Sequence, residues 1–220
     1  MEKIIRVAID GPSGAGKSTI AKAVAKKMNI DYIDTGAMYR AVGLKVKNSG
    51  IDMYDEAAMA AMLADTDIDF VNGDIILDGV IVNKEIRAND MSMMASNVSA
   101  LPAVRAKLVE LQRKMGQTKS IIMDGRDIGT NVLTDAEVKI FMTASAEERA
   151  DRRYKELIEK GQDVTYDQVL EDIKQRDHND STRALNPLRK ADDATELDTT
   201  GMGIEEVTEY IMNEVNSKWQ

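Results

Sequence analysis

A lysine and a serine close a glycine-rich segment near the start of the chain, and together they predict a phosphate-binding loop. Residues 11–18 match the pattern GxxxxGK[ST]. Glycines let the backbone pass close to a ligand, so that successive amide N–H groups converge on phosphate oxygens. Lys17 would place its charge beside the outer phosphates of a nucleoside triphosphate, and the Ser18 hydroxyl would ligate the accompanying Mg²⁺. The residues predicted to bind the triphosphate are Gly11, Pro12, Ser13, Gly14, Ala15, Gly16, Lys17, Ser18 and Thr19.

The segments on either side of this loop favour phosphate binding over an ordinary glycine-rich turn. A β-branched run, Ile4 to Ile9, predicts a strand that leads into the loop, and an alanine-rich stretch, Thr19 to Met28, predicts a helix that leads out. This is the strand, loop and helix context that the motif requires, and the helix adds the positive end of its dipole. The motif indicates a nucleoside triphosphate but leaves the reaction open.

Composition narrows the class of protein. The chain has 220 residues, a formal net charge of −9 and no cysteine, which excludes disulfides, thiolate metal sites and cysteine nucleophiles. A net negative charge disfavours nucleic acid and anionic membranes as partners. The sequence contains no apolar run of about 18 residues, the length of a membrane-spanning helix. We therefore expect a cytoplasmic protein that binds small molecules and neither nucleic acid nor membrane.

Strands and helices alternate along most of the chain, which predicts a mostly parallel sheet covered on both faces. Beyond the first strand and helix, the predicted strands are 30–34, 119–124, 137–143 and 194–198. The predicted helices are 37–47, 55–65, 91–116 with a break near Pro102, and about 203–217. Residues 67–87 instead predict three short antiparallel strands joined by turns at Asn72-Gly73 and Asp78-Gly79. Such a meander does not belong in a parallel sheet, so we expect an insertion.

Several reactions of triphosphate-binding proteins do not fit the sequence. The only Asn-Lys pair, Asn83-Lys84, continues with Glu-Ile and lies in the meander, so the guanine-reading Asn-Lys-x-Asp of a GTPase is absent. The LSGGQ-like signature of a transporter ATPase is absent as well. A small kinase or a small regulatory ATPase remains.

The arginines favour a kinase whose acceptor is itself a phosphate. Phosphoryl transfer requires positioning and neutralisation of charge, with little covalent work for side chains. A phosphate acceptor is already anionic and needs no strong base, but two anionic groups must be held together. Arg40, Arg126 and a charged segment at 146–183 provide the cations for this. Taken singly, arginines in such a segment more often form a solvated helix face.

Five motifs along nearly the whole chain resemble the bacterial cytidylate kinases. They are Gly-Pro-Ser-Gly-Ala-Gly-Lys-Ser-Thr at 11–19, Asp-Thr-Gly-Ala-Met-Tyr-Arg at 34–40, Ser-Asn-Val-Ser-Ala-Leu-Pro-Ala-Val-Arg at 96–105, Asp-Gly-Arg-Asp-Ile-Gly-Thr at 124–130 and Arg-Asp-His-Asn-Asp-Ser-Thr-Arg at 176–183. The resemblance implies a nucleoside monophosphate kinase that converts ATP and CMP or dCMP into ADP and CDP or dCDP. The segment 177–182 is less basic than is typical of that family, which puts the electrostatics of this region in question.

The resemblance also implies an architecture. It is an α/β P-loop fold of three layers, with a five-stranded parallel sheet in the order 2-3-1-4-5, the small antiparallel meander and a helical lid. The core would comprise residues 1–54, 117–145 and 190–220, the monophosphate-binding region about 55–116, and the lid about 146–189. We expect a monomer.

Residue roles follow from the matching motifs. The acceptor phosphate would be held by Thr35, Arg40, Arg126 and Arg183. Cytosine would be read by Ser96, Arg105 and Asp127. The ribose would be held by Arg176 and Asp180, and Tyr39 would complete the CMP site. The catalytic residues would be Lys17, Arg126, Arg152 and Arg153, although the sequence does not indicate which of the two lid arginines reaches the transferred group. Ser18 and Asp124 would hold Mg²⁺, Asp124 either directly or through water.

Two alternatives remain open from the residues themselves. One is a P-loop kinase of similar build that acts on UMP, AMP or a small metabolite. The other is a regulatory module in which nucleotide binding switches a partner surface, although such a module would not need the arginines at 40, 126 and 183.

Overall fold

A computed structural model describes residues 4–71, 73–88 and 90–219. The strands are β1 (Arg6–Asp10), β2 (Asp31–Asp34), β3 (Ile68–Val71), β4 (Asp74–Leu77), β5 (Val80–Ile81), β6 (Ile121–Gly125), β7 (Val138–Thr143) and β8 (Thr195–Asp198). The α-helices are α1 (Lys17–Met28), α2 (Thr35–Ser49), α3 (Glu56–Ala64), α4 (Met91–Ser99), α5 (Pro102–Met115), α6 (Ala146–Glu159), α7 (Tyr166–Thr182) and α8 (Ile204–Trp219). A 3-10 turn spans Glu85–Arg87 and a π-helical turn spans Ile128–Val132.

The chain forms two compact units, Met1–Tyr32 with Lys119–Gln220, and Ile33–Thr118. The five strands of the larger sheet lie in the order β2-β6-β1-β7-β8, and β1 pairs in parallel with both β6 and β7. In chain order this arrangement is 2-3-1-4-5, so the predicted α/β fold, sheet order and parallel pairing are confirmed. The division into core, monophosphate-binding region and lid stays a prediction.

The core of the first unit lies on one face of the sheet, where α1 and α8 pack. Its buried side chains come from β1, β6, β7 and β8 and from both helices, and they include Ile9, Val24, Ile140 and Ile211. Strand residues that face the opposite way, such as Met123, are buried as well. Burial on both faces explains why these strands read as continuous apolar runs.

Helices α6 and α7 form a pair with its own small core. Ala150, Leu157, Val169 and Ile173 are buried in it. Ser145 caps α6 by accepting a hydrogen bond from the Glu148 amide, and a capping box starts α7 at Thr165. The two helices therefore have defined starting points in the charged segment.

The second unit combines the meander with helices α2 to α5. Strands β3, β4 and β5 form the predicted antiparallel sheet. Gly73 of the first predicted turn has a positive φ, and Asn72 lies outside the described residues. The break that we predict near Pro102 is present, since α4 ends at Ser99 and Pro102 starts α5. Proline is tolerated there because the first turn of a helix has no partner for its missing N–H.

Helix α2 starts two residues earlier than the sequence indicated. Thr35 and Gly36 form its first turn, because the Asp34 carboxylate accepts a hydrogen bond from the Ala37 amide at 2.8 Å and so caps the helix. None of the helices in the described part of the chain is long and apolar enough to cross a membrane.

The phosphate-binding loop leaves β1 through a close backbone approach at Gly11. Gly11 has φ 149°, and a Cβ placed there would lie 2.1 Å from the carbonyl oxygen of Met142 on β7. A backbone atom of a central strand cannot move aside as a flexible side chain would. Only glycine fits at this position.

We expect Gly11→Ala to lower the free energy of unfolding by at least about 2 kcal/mol, because the added methyl group would push β7 away from the loop. Urea unfolding measures this loss. The control is Gly203→Ala, where a Cβ meets no atom within 4 Å, and which should cost less than about 1 kcal/mol. Equal stability of the two variants would contradict the steric account.

Candidate active site

The predicted phosphate-binding loop lies at the carboxyl end of β1 and ends at the first turn of α1. Gly16 immediately precedes the helix with φ 85°, a left-handed conformation, and no side chain caps the first amides of α1. Those amides keep their hydrogen-bonding capacity, and the helix dipole adds positive potential in the same place. The loop is therefore built to receive an anion.

Lys17 lies buried across this loop. Its Nζ donates a hydrogen bond to the Pro12 carbonyl oxygen at 2.7 Å. Burial, together with the nearby charges of Arg126 and Arg176, holds the pKa of Lys17 well below its usual range, although Asp124 and Asp10 oppose the shift. A bound phosphate would supply the negative charge that favours protonated Lys17.

Ser18 and Asp124 form the part of the site that could hold a divalent cation. The Ser18 hydroxyl donates to Asp124 Oδ2 at 2.7 Å, and the Tyr32 hydroxyl donates to Asp124 Oδ1 at 2.8 Å. One hydroxyl and one carboxylate are hard oxygen donors, which suit Mg²⁺ that keeps its remaining ligands from water and phosphate. Among the described residues, no group of three or more His, Cys, Asp or Glu side chains forms a complete protein cage. The donors present therefore fit Mg²⁺ bound together with a nucleotide.

Two ion pairs join the Gly-Arg-Asp motif after β6 to α7 and the segment that follows it. Arg126 Nε donates to Asp180 Oδ2 at 2.7 Å, and Arg183 Nη2 donates to Asp127 Oδ1 at 3.0 Å. Asn131 Nδ2 donates to the other Asp127 oxygen at 3.1 Å. Burial opposes ionisation of Asp180, but the charges of Arg126, Arg176 and Arg183, together with the hydrogen bond from Arg126, outweigh it and lower the pKa of Asp180. Four residues predicted to contact CMP are thus brought together within the first unit.

The two lid arginines point to different partners. Arg152 donates to Glu148 and to the Thr199 carbonyl oxygen, and its Nη1 lies 3.9 Å from where a Cβ on Gly16 would be. Arg153 Nη1 donates to Glu156 Oε2 at 2.8 Å, one turn along the same helix. Of Arg152 and Arg153, Arg152 is therefore the one that lies beside the phosphate-binding loop.

Ser13 of the loop is contacted by side chains from both α6 and α7. Arg176 Nη1 donates to Ser13 Oγ at 2.9 Å, and Arg149 Nη1 donates to the Ser13 carbonyl oxygen at 2.8 Å. The Ser13 amide donates to Asp177 Oδ1 at 3.3 Å. Helices α6 and α7 thus meet the loop at one residue.

Asp10 ends β1 and holds the turn that follows Asp127. Its carboxylate oxygens accept hydrogen bonds from the Ile128 amide at 2.8 Å and the Gly129 amide at 2.7 Å. Burial raises the pKa of Asp10 to about 6, with a further contribution from Asp127, although the two amide hydrogen bonds and Lys17 act in the opposite direction.

The second unit carries the remaining predicted acceptor residues on α2, α4 and α5: Thr35, Tyr39, Arg40, Ser96 and Arg105. Arg40 Nη2 donates to Asp34 Oδ2 at 3.0 Å. The Arg40 Nε is buried and finds no hydrogen-bond partner among the described residues. An incoming anion could therefore satisfy this donor.

Arg105 is buried beside Tyr39 and the end of α4. Its guanidinium carbon lies 5.8 Å from the centroid of the Tyr39 ring, and its Nη1 donates to the Ser99 carbonyl oxygen at 3.4 Å. The Ser99 hydroxyl donates to the Ser96 carbonyl oxygen at 2.8 Å. Tyr39, Ser96 and Arg105 are therefore parts of one local structure, as the predicted CMP site requires of them.

Our sequence analysis did not assign roles to Asp10, Tyr32 and Asp177, and treated Arg149 only as one of the charged residues of the lid. A usable signal existed for Asp10, because a carboxylate at the end of an apolar, buried strand needs partners. Nothing comparable indicated Asp177, which reads as an ordinary charge on a helix surface.

These features define the class of small P-loop kinases: a phosphate loop on a parallel sheet, a serine and an aspartate suited to Mg²⁺, and arginines gathered beside them. The chain belongs to the cytidylate kinase family, whose model, described as Cytidylate kinase, matches residues 7–217. A cytidylate kinase of Clostridioides difficile (strain 630) is 53% identical over 210 residues, which cover 96% of this chain and 97% of that relative. One of Caldicellulosiruptor saccharolyticus is 54% identical over 214 residues, 96% of this chain and 95% of that relative.

A solved structure shares the fold at low sequence identity. A gluconokinase from Sinorhizobium meliloti 1021 is 11% identical to this chain, with a TM-score of 0.51, and covers 97% of this chain and 92% of its own. Such a likeness concerns the fold alone, because one fold serves many substrates.

We expect the stability that Asp10 contributes to fall as pH rises. Its pKa is about 6 in the folded chain and near its ordinary 3.8 when unfolded, so between these values the folded state binds the extra proton. From pH 4 to 7, the stability of the wild type relative to Asp10→Asn should therefore decrease by about 2 kcal/mol. Urea unfolding of both proteins across this range measures the difference, and a difference independent of pH would contradict the raised pKa.

Proposed function

We propose that the chain transfers the γ-phosphoryl group of ATP to CMP or dCMP and so produces ADP and CDP or dCDP. The observation that carries this proposal is the gathering of basic side chains at the predicted phosphate-binding loop, where Lys17 Nζ donates to the Pro12 carbonyl oxygen and Arg176 Nη1 donates to Ser13 Oγ. Burial, and after it the charges of Arg126 and Arg176, lower the pKa of Lys17. Basic groups this close to one another favour a ligand rich in negative charge, and two phosphate groups brought together for transfer are such a ligand. Membership of the cytidylate kinase family supports the choice of acceptor.

The phosphate loop would hold the donor. Its amides and the first turn of α1 would bind the β- and γ-phosphates, with Lys17 between the outer phosphates. Ser18 and Asp124 would hold Mg²⁺, Asp124 directly or through water, and the ion when bound would neutralise charge on the phosphate oxygens. Arg152, which lies beside Gly16, would approach the transferred group from the lid.

The phosphate group of the acceptor would be held by one threonine and three arginines. These are Thr35, Arg40, Arg126 and Arg183. The unsatisfied Nε of Arg40 supports its assignment. The acceptor oxygen is already anionic near neutral pH, so no general base is required.

Cytosine would be read by Ser96, Arg105 and Asp127. A hydroxyl or carboxylate can accept from the exocyclic amine of cytosine, and an arginine can donate to its ring acceptors. Asp127 already accepts from Arg183 and Asn131, and a carboxylate has lone pairs for a further bond. Uracil places a carbonyl where cytosine has the amine, and the unpaired acceptor would cost about 1–3 kcal/mol.

The ribose would be held by Arg176 and Asp180 on α7, with Tyr39 completing the site. Asp180 is held by Arg126, so a contact to the ribose would be connected to the phosphate-binding arginine. A monomeric state and a cytoplasmic location are predictions from the sequence alone.

A panel of monophosphates tests the proposal. With Mg²⁺ and ATP, ADP production should have a kcat/KM at least about 10-fold higher with CMP or dCMP than with UMP or AMP, because only cytosine pairs with the predicted base-reading groups. A coupled ADP assay measures this, with chromatography of the diphosphate product. No preference among the four would refute the assignment of base-reading residues. ATP hydrolysis without acceptor or diphosphate product would instead support a regulatory ATPase.

The lid arginines should differ in their effect. We expect Arg152→Ala to lower kcat by about 100-fold, because it removes a cation beside the transferred phosphoryl group. Arg153→Ala is the matched control, since Arg153 pairs with Glu156 in a surface ion pair, and kcat should stay within about threefold of the wild type. The opposite order of effects in the same coupled assay would assign the catalytic role to Arg153.

A further inference from the structure

Asp177 lies on α7 at the point where the lid meets the phosphate-binding loop. One of its carboxylate oxygens, Oδ1, accepts a hydrogen bond from the Ser13 amide at 3.3 Å. The other, Oδ2, pairs with Arg149 Nη1 at 2.7 Å. Both oxygens are therefore used within the protein, and none of the roles assigned above involves this residue.

Arg149 closes a ring of contacts with Ser13 and Asp177. Its Nη1 also donates to the Ser13 carbonyl oxygen at 2.8 Å, and its Nε donates to the Ala144 carbonyl oxygen at 2.9 Å. The Arg149 side chain is only 6% exposed, against 24% for Asp177. A partly buried, charge-assisted set of bonds with fixed directions holds both the N–H and the C=O of Ser13.

The position of Asp177 in the helix relates this ring to the predicted ribose contacts. In an α-helix, residues three or four apart share a face, and neighbouring residues are about 100° apart. Asp177 therefore lies on the same side of α7 as Asp180, with Arg176 beside it. Arg176 donates to Ser13 Oγ, and Asp180 accepts from Arg126.

We propose that Asp177 is a positioning residue for phosphoryl transfer. By joining α7 to Ser13 and Arg149, it sets Arg176 and Asp180 at a defined place relative to the loop that binds the donor phosphates. This inference rests on the proposed function, because Arg176 and Asp180 matter in this way only if they hold the ribose of an acceptor. Asp177 itself contacts neither substrate.

A positioning role differs from a purely structural one in its kinetic signature. If α7 shifts relative to the loop, the acceptor is held in a less productive place, and displacements of about 1 Å can cost about 100-fold in rate. The loop itself keeps its glycines, Lys17 and Ser18, so it still binds ATP. A residue that only stabilised the fold would lower the melting temperature without this separation of effects.

The experiment compares Asp177→Asn with Asp172→Asn in the full-length chain. Asp172 is exposed on the same helix, so the control makes the same chemical change away from the loop. We expect Asp177→Asn to lower kcat by about 10-fold or more and to raise KM for CMP by about 5-fold or more. The Kd of an ATP analogue that cannot transfer its γ-phosphate, measured without CMP, should change less than about threefold, and Asp172→Asn should resemble the wild type.

Arg149→Lys and the double variant Arg149→Lys with Asp177→Asn make the test independent of one substitution. Lysine keeps the charge but lacks a second nitrogen such as Nε, which holds the Arg149 side chain on the Ala144 carbonyl oxygen while Nη1 contacts Ser13 and Asp177. Arg149→Lys should also lower kcat and raise KM for CMP while leaving the affinity for the ATP analogue nearly unchanged. The kcat/KM of the double variant should lie within about twofold of that of the more affected single variant, because both substitutions break the same set of contacts.

Three results would overturn the inference. They are wild-type kinetics in Asp177→Asn, an equal loss of ATP and CMP affinity, and losses that multiply in the double variant. If Asp177→Asn does not fold, Arg149→Lys alone decides by the same criteria. Activity of the wild type on CMP is measured in the same assay, so a failure of the proposed function is distinguished from a failure of the role of Asp177.

Discussion

The crowding of buried positive charge around the phosphate-binding loop is the constraint on which the rest of the structure depends. Burial disfavours the charge of Lys17, and the nearby charges of Arg126 and Arg176 disfavour it further. The protein offsets this partly with carboxylates, of which Asp180 pairs directly with Arg126. A bound anion would favour the charged form of Lys17, so the basic groups that are assembled before a nucleotide arrives would favour its binding.

Three aspartates near the phosphate-binding loop, Asp124, Asp180 and Asp10, have different roles. Asp124 accepts from two hydroxyl groups and keeps hard oxygen ligands in place for a cation. Asp180 is kept ionised by an arginine. Asp10 is surrounded by backbone amides and apolar strands, and burial raises its pKa to about 6. The difference lies in what surrounds each carboxylate, since burial disfavours its charge and a nearby cation favours it.

The fold and the family membership carry different information about the function of this protein. The fold is shared with a gluconokinase whose sequence is 11% identical, so the fold alone leaves the acceptor open. Relatives that are 53 to 54% identical over nearly the whole chain place the protein in the cytidylate kinase family. The residues that would distinguish cytosine lie on α4, α5 and the turn after β6, outside the phosphate loop.

The sequence by itself determined the elements and the donor site, because those depend on local patterns. The apolar runs predicted the strands, Pro102 the helix break, and the residues from Gly11 to Ser18 the phosphate loop. The arginines at 40 and 126 predicted a phosphate acceptor, but sheet order and the individual contacts to CMP came only through resemblance to a family. Tertiary structure alone decided that Arg152 lies at the loop while Arg153 pairs with Glu156, and that Asp177 and Arg149 hold Ser13. These partners are up to 164 residues apart in the sequence. A local sequence pattern does not indicate which charged side chain will contact a distant backbone amide.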